Sequence, residues 1–124
     1  MLSAAVSGAT FTSPPTKSIL AALRAVGKGN NGGTLLIVTS YTGDRLNFGF
    51  AAERAAAEGL KVDMVLVKAQ SSPTTKDKTA GRRGLCGTVL IHKVVTHTSN
   101  AILSRDDRIA VILYVRGIFS DMNY

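Results

Sequence analysis

Apolar and polar positions along the chain fall into blocks whose period switches from helical to extended and back. Ile19, Leu20, Leu23 and Val26 recur on one helical face and stop at Gly27, which predicts an amphipathic helix. Ser13, followed by Pro14-Pro15 and Thr16, reads as its N-cap with proline in the first turn. Thr34-Leu35-Leu36-Ile37-Val38 is a near-continuous β-favouring run behind Gly32-Gly33, and predicts a strand buried on both faces. From Arg45 to Glu58 the period turns helical again. Leu46, Phe50 and Ala57 recur at helical spacing, Ala51-Ala52 and Ala55-Ala56-Ala57 favour helix, and Gly59 stands where a helix would end. Residues 61–67 predict a second strand. Residues 68–78 read as a polar loop leading to Gly81-Arg82-Arg83-Gly84, and residues 85–95 as a further helix, opposed only by Gly87 and its β-branched positions. A polar turn at 96–100, the cluster Arg105-Asp106-Asp107-Arg108 and a strand-like apolar run at 109–115 complete the pattern. Strand, helix and strand joined by short links imply a right-handed parallel crossover. The expected class is α/β, a layered parallel sheet with flanking helices.

Composition narrows this picture. A chain of 124 residues makes one small domain with enough apolar content for a core. One cysteine allows no internal disulfide, so a reducing, cytoplasmic setting is the default expectation. Cys86 itself, in an apolar run, reads as a small buried hydrophobe. The longest apolar run is too short to cross a bilayer, so no membrane partner is expected.

The net charge of +7 points toward nucleic acid only until it is located. Much of it lies between Lys61 and Lys93, where Asp63 and Asp77 are the only opposing charges. That stretch has no interleaved aromatic residues to stack on bases and no recognition-helix, zinc-finger or RNA-binding signature. It reads as a solvated loop, and no nucleic-acid partner is expected. Before Asp44 the chain carries Lys17, Arg24 and Lys28 and no acid, which imitates a transit peptide. The helix signals in that region argue for folded structure instead.

Two motifs are decoys. Gly27-Lys28-Gly29-Asn30-Asn31-Gly32 has the spacing G-x-G-x-x-G, but it follows a helix and precedes a strand, the reverse of what pyrophosphate binding requires. His92, His97 and Cys86 have no zinc-binding spacing, and His92 reads as a partly buried side chain of an apolar helix. No metal site is expected.

Candidate chemistry gathers at Asp44. The strand from Thr34 runs into Ser40-Tyr41-Thr42-Gly43-Asp44, and in parallel α/β sheets ligands bind at the carboxyl ends of strands. Gly43 permits a tight turn just ahead of Asp44, whose carboxylate then lies near the positive end of the following helix. The residue types alone leave a second reading open, in which Asp44 caps that helix.

Longer strings carry a resemblance. Phe11-Thr12-Ser13-Pro14, the segment from Gly33 to Val38, Tyr41-Thr42-Gly43-Asp44-Arg45-Leu46-Asn47-Phe48-Gly49, and the segment from Ala80 to Val94 occur in order and with compatible spacing. Together they closely resemble the substrate-binding domain of dihydroxyacetone (glycerone) kinases, which the eukaryotic triokinase and FMN-cyclase enzymes share. The resemblance covers residues 1–94, a partial domain of that type, and residues 95–124 form a divergent tail with no family match. In the family the aspartate of this turn contacts the hydroxyls of dihydroxyacetone and is placed to accept a proton during phosphoryl transfer, the role the resemblance implies for Asp44. The turn's substrate-touching lysine is Thr39 here, and its asparagine is Ser40.

The glycine-rich segment with the family's catalytic histidine, the later histidine that forms a covalent hemiaminal, and the helical domain that holds ATP and magnesium have no counterpart among the 124 residues. The resemblance therefore implies a segment of an ATP-dependent glycerone kinase of carbohydrate metabolism that binds no cofactor by itself and is inactive alone. ATP and magnesium belong to the full-length family, and dihydroxyacetone is the family substrate. The alternative is a catalytically inactive remnant that forms a homodimer or pairs with a full-length homologue through an open sheet edge.

Overall fold

Apolar side chains that alternate along each strand must be covered on both faces of a sheet, and helices of two different origins do so here. The computed structural model describes residues 3–68, 86–102 and 110–114. Its elements are β1 (Ala4–Val6), α1 (Thr16–Gly27), β2 (Thr34–Thr39), α2 (Thr42–Ala57), β3 (Val62–Val67), α3 (Cys86–Ile102) and β4 (Ala110–Tyr114). The strands lie in the order β1-β4-β2-β3, and every pair is parallel. β2 and β3 pair along their whole length, from Thr34 opposite Val62 to Thr39 opposite Val67. The α/β class with a parallel sheet read from the sequence is the architecture found.

Leu36 and Val38 of β2 and Val6 of β1 pack against Ile19, Leu20 and Leu23 of α1 and Phe48, Ala51 and Ala55 of α2, with Met64 and Leu66 at the margin. On the other face Ile37 and Val67 meet Leu35, Ile91 and Val95, the last two from α3. The steps from β1 to β2 and from β2 to β3 cross the sheet in one direction, and the step from β3 to β4 returns. Right-handed crossovers put helices of opposite steps on opposite faces. That is the distribution of α1 and α2 against α3.

The two helices of the first layer are also joined at their ends. Arg24 donates from Nε to Glu58 Oε2 at 2.8 Å and from Nη2 to Oε1. This fork raises the Arg24 pKa and lowers that of Glu58, chiefly through the hydrogen bond itself. Both groups stay in solvent.

Several local readings need correction. α1 begins at Thr16 with Pro15 as N-cap and no side-chain cap, so Ser13 is not the cap; its hydroxyl accepts a hydrogen bond from Asn47 instead. α2 begins at Thr42 rather than Arg45. Its buried face is Asp44, Phe48, Ala51 and Ala55, while Leu46 and Phe50 are 55% and 62% exposed and Ala57 is exposed. Large side chains indicate the wrong face, because of the residues turned to the sheet only Phe48 is large, while Leu46 and Phe50 point away from it. The turn expected at 96–100 is absent, since α3 continues to Ile102. Val94 therefore lies inside a helix, and β4, from beyond it, sits between β1 and β2. The strand read at 109–115 is present as β4. The polar loop at 68–78 and the Gly81–Gly84 string lie outside the described residues, apart from Lys68.

Candidate functional site at the carboxyl end of the second strand

β2 ends at Thr39, and the chain turns within two residues into α2. The Ser40 amide donates to Val67 O at 3.2 Å, the Tyr41 amide to Thr39 O at 2.8 Å, and the Arg45 amide to Tyr41 O at 2.9 Å. This short sequence of bonds places Asp44 in the first turn of α2, directly after the strand end. Tyr41 is the N-cap and makes no side-chain cap bond. The reading of Asp44 as the helix cap is thereby corrected: its carboxylate reaches back to the strand, where Thr39 Oγ1 donates to Asp44 Oδ2 at 2.9 Å. Thr39 is 7% and Asp44 3% exposed. A buried carboxylate requires such a donor, because leaving it unpaired forfeits its hydration without return. The first-turn position adds the favourable field of the helix N-terminus.

The loop after β1 forms a second wall. Asn47, one turn along α2 from Asp44, donates from Nδ2 to Pro14 O at 2.9 Å and to Ser13 Oγ at 3.3 Å. Gly43 lets this loop come close, since a Cβ there would stand 3.3 Å from Ser13 Cβ. The loop itself is tightly folded: the Thr12 amide donates to Ala9 O at 3.0 Å, and Phe11 adopts a positive φ of 51°. A Cβ on Gly8 would lie 2.0 Å from Thr12 O. Because β4 separates β1 from β2, the loop reaches across one strand to meet α2.

Asn47 carries no role in the sequence pattern, and Ser13 reads there as a helix cap and not as a partner of Asn47. The available signal was an asparagine three residues past the aspartate, a spacing that puts both on one face of a helix. Thr39, marked from the sequence, is brought into direct contact with Asp44.

The other candidates lie elsewhere. His92 is half-buried on α3, and burial lowers its pKa from the usual imidazole value; His97 is exposed. α3 covers the opposite face of the sheet from α2. Cys86 is the first residue of α3. Among the described residues no three His, Cys, Asp or Glu side chains converge on a point that could hold a metal, and no helix is long and apolar enough to cross a membrane. The G-x-G-x-x-G string is the α1–β2 connection, where Asn30 brackets the turn by accepting from the Gly32 amide and donating to Gly33 O. A shallow cleft of about 310 Å³ near Gly33, Lys61 and Asp63 lies at the amino end of β2 and β3. It is at the far end of the sheet from Asp44, opposite the carboxyl strand ends where parallel α/β sheets bind ligands.

A buried carboxylate held by a neutral hydroxyl, at a strand end and beneath a fixed loop, is suited to accept a hydrogen bond from a ligand hydroxyl. The family model of the Dak1 domain matches residues 1–113. The chain belongs to the Dak1 family. Its matched span takes in all of α3 and most of β4, and so extends past Val94. This Dak1 chain is 53% identical over 120 residues to the triokinase/FMN cyclase of Bos taurus, covering 94% of this chain and 21% of the relative. It is 42% identical over 107 residues to the dihydroxyacetone-binding subunit DhaK of a PTS-dependent dihydroxyacetone kinase of Listeria innocua, covering 86% of this chain and 32% of that subunit. Among solved structures it is similar to the dihydroxyacetone kinase of C. freundii in complex with AMP-PNP and Mg2+, with a TM-score of 0.62 and 43% identity over 71% of this chain and 16% of that one. The Dak1 chain thus spans about a fifth of the length of the bovine relative, 21%. The resemblance read from the Tyr41–Gly49 string and its companions is the family the match shows.

Proposed function

We propose that this chain is a substrate-facing segment of a dihydroxyacetone kinase, with Asp44 as the group that receives a hydroxyl of dihydroxyacetone. The observation that carries the reading is the placement of Asp44: buried, in the first turn of α2, at the carboxyl end of an internal parallel strand. Thr39 occupies Oδ2, so the incoming hydroxyl would donate to Oδ1. In the longer protein the same oxygen would take the proton as phosphate is transferred to that hydroxyl. Phosphoryl transfer rests on positioning and charge stabilisation, and Thr39 supplies a hydrogen bond where a lysine would supply a charge. ATP and Mg2+ would be held by parts of the protein beyond these residues, and turnover would need them. Association of this segment with a second copy or with a longer homologue belongs to the same proposal.

The test is an amide chemical-shift titration of the chain with dihydroxyacetone, accompanied by intact mass measurement. Reversible shifts at Thr39, Gly43 and Asp44, absent in Asp44→Asn, with no mass increase and no product when ATP is added, are expected. A covalent adduct, or shifts that persist in Asp44→Asn, would refute the assignment.

A further inference from the structure

β3 is the last strand of the sheet on its side, paired to β2 and to nothing beyond it among the described residues. Such an edge presents a row of main-chain donors and acceptors on which another strand can add. The pairing with β2 fixes which groups point outward. The Thr34 amide donates to Lys61 O and the Ser40 amide to Val67 O, so the odd-numbered residues of this strand turn their main-chain groups toward β2. In a strand the N–H and C=O of one residue point to the same side. The amides of Val62, Met64 and Leu66 therefore point to the open edge.

The middle one of these three is occupied. The Met64 amide donates to Oδ1 of the preceding residue, Asp63, at 2.7 Å. Asp63 is exposed, and its carboxylate folds over the edge of the strand. An added strand would need that amide for its own carbonyl. It would have to displace the carboxylate and bring its negative charge against an incoming carbonyl oxygen. Both are unfavourable. Without the guard the edge is well suited to pairing, since Val65 is 42% exposed beside it.

We infer that Asp63 holds the β3 edge closed to strand addition, and that removing its carboxylate opens this edge to a second copy of the chain. The consequence for the association proposed above is specific: pairing of the native chain uses some surface other than β3. The inference stands apart from the Asp44 reading, because it concerns a different strand edge and involves no ligand.

The experiment compares the native chain with Asp63→Ala and Asp63→Asn by hydrogen exchange at the Met64 amide and by sedimentation across a concentration series. In Asp63→Ala at low concentration, Met64 exchange is expected to rise on the order of tenfold, the loss of one charge-assisted hydrogen bond. Self-association is expected to strengthen by a similar factor, with the Met64 amide regaining protection as concentration rises. Asp63→Asn keeps an acceptor without the charge and is expected to fall between the two. Adding Val65→Lys to Asp63→Ala places a charge back on the same edge and is expected to restore the native sedimentation behaviour. Unchanged Met64 exchange in Asp63→Ala would overturn the inference. So would self-association that survives Val65→Lys, or a native chain whose Met64 amide gains protection with concentration.

Discussion

Replacing Thr39 by valine isolates the bond that ties the end of β2 to the first turn of α2. The two side chains have nearly the same shape, and both are β-branched and suited to a strand. What changes is that Asp44 Oδ2 loses a donor 2.9 Å away in a place where Asp44 is 3% exposed and Thr39 7%. Hydrogen bonds to charged groups contribute about 1.5–3 kcal/mol, and a buried acceptor left without a donor loses its full desolvation cost. Valine returns a fraction of this by burying a methyl group in place of a hydroxyl, roughly 0.8 kcal/mol. The expected net loss is about 1–2 kcal/mol, or a fall in Tm of roughly 3–10 °C for a chain of this size. Urea denaturation followed by circular dichroism measures it, and a double-mutant cycle with Asp44→Ala assigns it to the pair. Thr39→Val costing less than about 0.5 kcal/mol, or a coupling energy indistinguishable from zero, would refute the view that this bond holds the site.

Other consequences can be checked with the same assay. Thr34 Oγ1 is buried with no hydrogen-bond partner among the described residues, so Thr34→Val is expected to stabilise the chain by about 1 kcal/mol, read as a higher urea midpoint. Gly8→Ala, whose Cβ would stand 2.0 Å from Thr12 O, is expected to cost more than about 2 kcal/mol by forcing the loop after β1 to move. Burial lowers the His92 pKa, so the unfolded chain takes up a proton at higher pH than the folded one. This contribution is complete above about pH 6.5 and diminishes as pH falls through the folded value; His92→Gln is expected to flatten the stability profile in that window. The Arg24–Glu58 fork is exposed, so the stability difference between native chain and Arg24→Ala is expected to shrink as salt is raised.

How much of this was legible depended on which signal each element gave. β2 and α1 were readable because their burial follows side-chain size: the Thr34–Val38 run is buried on both faces, and Ile19, Leu20 and Leu23 line the core. α2 was readable as a helix and misread in its orientation, since its buried face carries one large side chain, Phe48, beside Ala51 and Ala55, while Leu46 and Phe50 are exposed. β1 gave no signal at three residues, two of them alanine; it exists because β4 pairs with it. α3 passes through Thr96, Thr98, Ser99 and Asn100, residue types that favour turns locally but cost a helix little each when Ile91 and Val95 already anchor it. At the site, Asp44 and Thr39 could be marked by position in the chain. Their bond could not, because it joins a strand end to a helix turn through geometry that only the fold supplies.

The position of β4 between β1 and β2 has a consequence for how the chain acquires this structure. Residues near the start of the chain and residues in its first third are held in one sheet by a strand that is synthesised long after both. Until residues 110–114 arrive, β1 and the inner side of β2 face an empty slot, while β2, α2 and β3 can already assemble from neighbouring segments. Closing such a slot requires contacts of large sequence separation, the kind that slow folding. A nascent chain would therefore carry an unfilled, apolar groove in its half-built sheet until residues 110–114 emerge, and be most prone to mispairing in that interval.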